Sequence, residues 1–554
     1  MTSFPEDLWA ETGLASRGAA IAEARAWLPG IEAFYGAPRE LPDQLATFCR
    51  EELPSGRYLV YGAGLHTRAL LPMLASRPDI DVRGVLDRLA SSIDGFEGLP
   101  VLEPSEAARR PEEHILISHG SYEREMIRTL LAAGVERGRI IPIYTNPAYH
   151  RVCRRFFEDR IKPAIPRGIE HVIVSCALLG VVAEEELARV FPPDRTLHIY
   201  AGRPDTAGGI RLFPTIDVHE SLSAMAGILE LVRPKTVYVS TVLYKNFFFL
   251  FLKERFPGIT LIHELYDATL CWPDRDLALM FGLDAETIRL LRLSEFYSGQ
   301  CADLVVSKRG GPAWERGVWS RCAAPYRTYF PFLRDSEDHT PPAVDSERRD
   351  IVYAGFLPSE SFLAQFTNGY TFLPTLRELC ARGSLTADIF NSAHFPGDGD
   401  AIYAGYLRNF AQGPVRYSGR LPYDQLLRRL PGYSLGWLCD VQPEPHPDRE
   451  VGICNRWTGY LSAGLPVLID SGWTFMAGFI REHGAGLIVD RQDPDTILEA
   501  IRAHDPRALA DGTRSLRRRL LAWNEETLQA VAGTVEAPLP QPSAESRFGD
   551  NPAP

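Results

Sequence analysis

Short apolar runs recur along the chain and alternate with stretches in which apolar positions return at helical spacing. Such runs read as buried strands, and their alternation with helices predicts parallel sheets. Residues 5–37 read as one or two helices, for example Ser16 to Trp27, before a break at Leu41, Pro42 and Asp43. A first α/β unit follows: strands at Arg57 to Tyr61, Val82 to Leu86, His114 to Ser118 and Arg139 to Tyr144, with helices at Thr67 to Ala75 and Ser121 to Ala133. A second series has strands at His171 to Ser175, Thr196 to Tyr200, Thr236 to Ser240, Thr260 to Glu264 and Asp303 to Ser307. The charged, Pro-bearing stretch Asp335 to Asp350 reads as a linker. A third series runs through Arg349 to Gly355, Ala387 to Phe390, Val415 to Gly419, Ser434 to Leu438, Pro466 to Ile469 and Gly486 to Val489. A last Arg-rich helix spans about Pro506 to Ala530, and the Pro/Ser/Ala-rich tail from Glu536 is expected to be disordered.

The expected fold class is α/β with three Rossmann-like domains. The expected boundaries are a helical segment over 1–41, a nucleotide-binding domain over 42–150, two further lobes over 151–335 and 349–505 joined by a linker at 336–348, a terminal helix over 506–534 and a tail over 535–554. The apolar run Phe247 to Phe251 reads as helix core and is too short to span a membrane.

A formal charge of −12 over 554 residues disfavours nucleic acid as the main partner. Only Lys162, Lys235, Lys245, Lys253 and Lys308 are lysines, so Arg carries almost all positive charge. The nine cysteines form no CxxC pair and no cluster at metal spacing, which fits buried thiols in a reducing compartment and no metal site. No basic and apolar leader opens the sequence, so a cytoplasmic location is expected. The Arg-rich stretch Arg514 to Leu521 offers either peripheral contact with an anionic membrane or, preferably, a helix crossing back onto the second domain.

Gly62 and Gly64 sit at the first strand-to-helix turn, where glycine lets a backbone approach a phosphate and the helix N-terminus attracts it. Asp87 ends the next strand, in position to accept a ribose hydroxyl, and Thr67 replaces the third glycine of the dinucleotide fingerprint. Ser118 ends the third strand and faces the same crevice. This unit, with His66 in its turn, is similar to the small Rossmann-like domains that accompany sugar acyltransferases and some sugar methyltransferases, which implies a nucleotide sugar or similar ligand. The other reading is an inherited fold that only supports assembly.

The stretch Cys454 to Asp470 is a compact helix–turn–strand, with Gly464 suited to the left-handed helix end and Pro466 stopping continuation. Together with the strand ending at Gly355, the strand and helix from Val415 to Leu430, and Gly484 to Val489, it resembles the C-terminal domain of GT-B glycosyltransferases, particularly the retaining family 4 type. Ala302 to Ser307 and Tyr329 to Leu333 resemble the end of that family's first domain. The resemblance implies twin lobes, an acceptor lobe and a donor lobe, and a nucleotide-sugar donor with no other cofactor. It puts Gly355, Gly419, Arg420, Asn455, Arg456, Tyr460 and Gly464 on the donor, with Arg420 and Arg456 facing its phosphates. His263 and Asp267, ending a strand of the first lobe, are candidates to orient or deprotonate an acceptor hydroxyl. The sequence departs from the family at Gly459, where a ribose-binding Glu is usual, at Val451, beside which Glu450 serves after a one-residue slip, and after Gly355, where a basic residue is missing.

The expected function is transfer of a sugar from a nucleotide-sugar to a glycan, lipid-linked or protein acceptor. The alternatives are a scaffold with an altered GT-B body and a sugar-nucleotide epimerase. Sugar, base, acceptor, stereochemical outcome and oligomeric state stay open at this level.

Overall fold

The computed structural model describes residues 17–36, 42–119, 122–176, 182–202, 212–281, 283–335, 350–357, 372–391, 413–439, 447–489 and 494–537. Strands β1 (Gly56–Tyr61), β2 (Ile80–Leu86), β3 (Val101–Leu102), β4 (Glu113–Ile117) and β5 (Ile140–Ile141) form a sheet in the order β3-β2-β1-β4-β5. A second sheet contains β6 (His171–Ser175), β7 (Thr196–Tyr200), β8 (Thr215–Asp217), β9 (Thr236–Thr241), β10 (Thr260–Leu265), β11 (Leu304–Ser307) and β12 (Tyr326–Thr328), ordered β12-β11-β10-β9-β6-β7-β8. The third has β13 (Ile351–Gly355), β14 (Ala387–Asn391), β15 (Val415–Tyr417), β16 (Leu435–Leu438), β17 (Val467–Asp470) and β18 (Gly486–Val489), ordered β15-β14-β13-β16-β17-β18.

All paired strands within these sheets are parallel. Each sheet grows from its first strand toward one edge, then returns to that strand's other side. The reversal falls at β1/β4, β6/β9 and β13/β16, and the crevice beyond the carboxyl ends of such strand pairs is where open α/β sheets take ligands. The chain therefore holds three Rossmann-like domains, the last two forming a GT-B twin-lobe body.

The strand cores are apolar because helices cover both faces of each sheet. Phe247 to Leu252 are all buried in the helix Phe247–Arg255, so this aromatic run is core, as its sequence suggests. At about 1.5–3 kcal/mol per buried side chain it is a main anchor of the second domain.

Two terminal segments tie the body together. The helices Arg17–Ala26 and Leu28–Tyr35 put Ala20, Ala24 and Ile31 into the core of the second sheet, ahead of the first domain in sequence but packed on its neighbour. The helix Pro506–Glu536 buries Leu516 and Leu520 against the third sheet and Leu528 and Val531 against the second. Its Asn524 side chain makes a two-way bond with the Phe330 backbone, accepting at 2.8 Å and donating at 2.9 Å. The terminal helix thus crosses back between lobes, as expected.

The strand expected over Arg139 to Tyr144 is confined to β5. The buried carboxylate of Glu123 takes the backbone N–H groups of Ile143, Tyr144 and Thr145, each at 2.9 Å, in place of a neighbouring strand. The sequence reading also misses β3, β8 and β12, which are two or three residues long and show no periodicity. The linker at 336–348 and most of the tail lie outside the described residues; the helix itself runs to Glu536.

Candidate functional site

The β13/β16 crevice is opened by the strands themselves. β13 pairs with β16 only at Ile351 and Val352, and beyond them the strands part. The Tyr460 phenol fills the gap: it accepts from Ala354 N–H at 2.9 Å and donates to the Val352 carbonyl at 3.3 Å. Its ring lies on Gly436, where any side chain would overlap it. Tyr460 is therefore 1% exposed, its phenol engaged by the β13 backbone beneath the crevice.

The helix Asn455–Ser462 begins at this crevice. Arg456 extends across the end of β13, and a Cβ at Gly355 would overlap its Cδ. The guanidinium rests over the Tyr353 ring, 4.9 Å from the centroid, a cation–π arrangement that fixes its position. Asn455 donates its amide to the Tyr266 hydroxyl of the other lobe, while its Oδ1 is buried without a hydrogen-bond partner among the described residues. Gly355, Asn455 and Arg456 are thus brought together.

Gly464 takes the left-handed conformation expected of it, φ 69°, with Leu465 N–H bonded to the Tyr460 carbonyl at 2.9 Å. It stands past the far end of that helix and makes the turn into β17. Gly419, φ 75°, and exposed Arg420 follow the edge strand β15, two strands and about 10 Å from β13. Glu450 is buried in the short helix Pro447–Val451, between β16 and the segment that meets the other lobe.

That meeting is a continuous joint. Gly310 N–H bonds to the Val451 carbonyl at 2.9 Å and Ile453 N–H to the Lys308 carbonyl at 3.0 Å, an antiparallel bridge of Arg309 with Gly452. Arg309, 1% exposed, donates to the Tyr266 carbonyl at 3.0 Å and pairs with Asp267 at 3.1 Å and Asp448 at 2.6 Å. Lys308 pairs with the same Asp267 oxygen at 3.0 Å and lies 3.8 Å from the Tyr266 ring centre. Burial alone raises the Asp267 pKa, but Lys308 and Arg309 outweigh it and hold the carboxyl below its usual range. Asp267 is consequently an ionised carboxylate at the interlobe face, suited to stabilising positive charge and poorly suited to taking a proton. Of this hub the sequence reading named Asp267 alone; Lys308 and Arg309 follow the end of β11 and Asp448 comes from the other lobe.

His263 is elsewhere. Its ring is wholly buried, stacked on Phe249 at 4.7 Å, with Nε2 2.7 Å from Thr241 Oγ1 and Nδ1 2.5 Å from Ser298 Oγ. The Thr241 hydroxyl donates onward to Asn246 Oδ1, so His263 carries its proton on Nε2 and accepts from Ser298. Burial pushes its pKa down to about 3. The expected contact with an acceptor hydroxyl is ruled out by this enclosure, and His263 belongs to a polar network in the core.

In the first domain, Gly62, Gly64, His66, Thr67, Asp87 and Ser118 converge on the β1/β4 crevice. Gly62 has φ 116°, and a Cβ there would lie 3.1 Å from the Ser118 carbonyl oxygen. The Thr67 hydroxyl, fully buried, reaches the Gly62 carbonyl and lies 2.7 Å from Ser118 Oγ, which explains a hydroxyl where the fingerprint has glycine. His66 bridges Ser118 Oγ at 2.8 Å and the Tyr144 hydroxyl at 2.7 Å; burial, helped by nearby His119, pushes it down to about 4. Asp87 accepts from Ala63 N–H and Leu89 N–H, both at 2.9 Å, so its carboxylate also shapes the glycine turn. Gly64 caps the helix Leu65–Ala75 with open space around its Cα. Tyr144 is a member the sequence did not reveal, since it lies after β5 and enters only through the Glu123-held turn.

Among the described residues no cluster of metal-ligating side chains occurs, and no helix is long and apolar enough to cross a membrane.

No family model matches the chain, and no curated protein does. Solved structures similar to it include the lipopolysaccharide outer core galactosyltransferase WaaB in apo form, at 11% identity over 66% of this chain and 99% of that one, with a TM-score of 0.41. Apo OtsA is similar at 11% identity, covering 67% and 100%, with a TM-score of 0.44. The spinosyn rhamnosyltransferase SpnG complexed with thymidine diphosphate is similar at 11% identity, covering 66% and 100%, with a TM-score of 0.36. Likeness at this level adds nothing to the sheet orders above.

Proposed function

We propose that the chain is a glycosyltransferase that moves a sugar from a nucleotide-sugar donor to an acceptor in glycan or glycoconjugate assembly. The observation that carries this reading is Arg456, laid across Gly355 at the β13/β16 crevice and fixed on Tyr353. A sugar transfer releases a nucleoside diphosphate, and its developing charge needs a positioned cation and helix N–H groups. The buried, unmet Oδ1 of Asn455 supports a ligand donor group beside the same helix. Residues 349–505 act as donor lobe and 151–335 as acceptor lobe, with Glu450 facing the transferred sugar and Asp267 offsetting positive charge at the reacting carbon. Arg420 reaches the donor only at its outer end. A retaining outcome fits an ionised Asp267 better than a proton-abstracting base does. The first domain holds a second nucleotide or nucleotide-sugar in its β1/β4 crevice, through Gly62, Gly64, His66, Thr67, Asp87 and Ser118.

The test is thermal-shift binding of the whole chain to nucleoside diphosphates and nucleotide sugars, since a ligand of the folded state raises its midpoint. A shift reduced by Arg456→Ala and abolished when Gly64→Val is added is the result expected of a donor in the C-terminal crevice and a second nucleotide in the first domain. Gly64→Val is a clean probe because a side chain there meets open space. A shift lost only in Gly64→Val moves the nucleotide to the first domain, and no shift with any nucleotide favours the scaffold reading. Turnover of the donor separates transferase from epimerase.

A further inference from the structure

Tyr266 belongs to the acceptor lobe, yet its hydroxyl works at the first turn of the donor-lobe helix Asn455–Ser462. It directly follows β10, where its N–H bonds to the Thr241 carbonyl at 3.1 Å and its own carbonyl takes the Arg309 guanidinium at 3.0 Å. The Lys308 ammonium rests on its ring, 3.8 Å from the centre, so backbone and phenol are both held. The hydroxyl then accepts from the Asn455 amide across the cleft.

This contact leaves two polar groups unmet side by side. Having accepted from Asn455, the Tyr266 hydroxyl still has a hydrogen to donate, and no acceptor for it occurs among the described residues. Asn455 Oδ1 has no donor. A polar pair left in this state costs free energy until a partner arrives. The place is not sealed: Tyr266, Asp267, Lys308, Asn455 and Arg456 are each half-buried, so both lobes show surface here.

A donor and an acceptor on neighbouring atoms are the complement of one hydroxyl, which accepts from Tyr266 and donates to Asn455. Chain order says which hydroxyl. In the transfer proposed above, Arg456, next after Asn455, meets the leaving diphosphate, and Asp267, next after Tyr266, meets the reacting carbon. A hydroxyl held between them sits on the carbon adjacent to the reacting one.

We infer that Tyr266 and Asn455 together read the 2-hydroxyl of the transferred sugar, so that the donor carries a free 2-hydroxyl and is not a 2-acetamido or 2-deoxy sugar. An acetamido group brings an N–H for Asn455 but sets its acyl carbon against the Tyr266 hydroxyl, and a 2-deoxy sugar brings no polar group. As positive charge grows on the reacting carbon, the bond from the 2-hydroxyl to Oδ1 strengthens, so the contact favours the transition state over the bound donor. This inference rests on the glycosyltransferase reading above and assigns its donor class.

The experiment is titration calorimetry of the whole chain carrying Gly64→Val, which silences the first-domain crevice. UDP-glucose, UDP-galactose, dTDP-glucose and GDP-mannose are titrated, each read against its own nucleoside diphosphate. The tightest is then compared with its 2-deoxy-2-fluoro analogue, which cannot donate to Asn455, and with UDP-N-acetylglucosamine. The hexose donor is expected to bind about tenfold more tightly than either, the scale of one hydrogen bond with both partners otherwise unmet. Tyr266→Phe, which keeps the ring under Lys308, and Asn455→Ala should each remove that tenfold preference. The double variant should lose less than about twofold more, because both side chains act on one hydroxyl. Affinity for the bare diphosphate should stay within about twofold in Tyr266→Phe, a split that a merely structural role would not give. Equal binding of hexose and 2-acetamido donors, or a preference unchanged in both variants, overturns the inference. Failure of the chain to bind any nucleotide overturns the transferase reading itself, so the two failures are distinct.

Discussion

Arg456 reaches the end of β13 only because residue 355 is glycine: a β-carbon there occupies the space of the Arg456 side chain. One residue sets the path and the other supplies the charge, although they are far apart in sequence. Gly355→Ala is therefore expected to act like a mutation of Arg456 without removing any charge.

Both Arg456→Ala and Gly355→Ala should weaken nucleoside diphosphate binding. For Arg456→Ala the expected loss is about 1.5–3 kcal/mol, the scale of a hydrogen bond to a charged group. Titration calorimetry on the two variants checks this. Binding unchanged in Gly355→Ala but lost in Arg456→Ala refutes the steric coupling.

Arg309 makes a second, stability-level prediction. Replacing it by Met strands Asp448 beside a buried apolar stem and leaves Asp267 to Lys308 alone, and breaking a buried pair from one side typically costs about 3–5 kcal/mol. Adding Asp448→Asn should return part of that loss, because one stranded charge is then gone. Urea denaturation of the single and double variants measures both, and an Arg309→Met protein as stable as native contradicts the joint described here.

Much of this architecture is legible in the sequence because it depends on local signals. The runs at Val352, Leu435 and Val467 are apolar on both faces, and Gly464 followed by Pro466 announces a helix end wherever it occurs. The six residues of the first-domain crevice lie on two strand ends and one turn, so their convergence follows from the parallel βαβ pattern. The interlobe hub does not. Asp267, Lys308, Arg309 and Asp448 meet through the packing of two lobes, and no local periodicity encodes that. His263 misleads for the same reason. A strand end looks open in sequence, whereas Phe249 and Ser298 close over this one from separate helices. Tyr460 reads as a crevice residue, and where β13 and β16 part its phenol bonds to the β13 backbone.

Three strongly shifted histidines, two of them fully buried, give the fold a defined pH response. Burial lowers His66 and His198 from 6.5 to about 4 and His263 to about 3, with His119 adding to the effect at His66. Below pH 6.5 the unfolded chain takes up protons that these rings refuse in the folded state. Stability should therefore fall as pH drops from about 6.5 toward 4, by about 1.4 kcal/mol per pH unit for each ring once well below its unfolded pKa. Urea midpoints at pH 7.5, 6.0 and 5.0 follow the trend, and the slope should lessen in His263→Phe. A flat profile across that window contradicts the enclosure of these rings.

Two glycines of similar appearance in sequence should respond oppositely to alanine. Gly311, φ 86°, receives the Phe475 ring of the other lobe, and a Cβ there would stand 2.7 Å from Phe475 Cδ2. Alanine must both adopt a left-handed backbone and displace a ring packed across the interlobe joint. Strain of about 1–3 kcal/mol from the backbone is then compounded by overpacking. Gly64 has an extended φ of −130° and open space where its Cβ would lie. Gly64→Ala should thus leave the thermal midpoint within experimental scatter, while Gly311→Ala lowers it by several degrees. Removing the ring as well, in Gly311→Ala with Phe475→Leu, should recover the overlap part of the loss but not the backbone part. Scanning calorimetry on the four proteins reads each step, and equal midpoints for Gly64→Ala and Gly311→Ala would show that the lobes do not press together at Phe475.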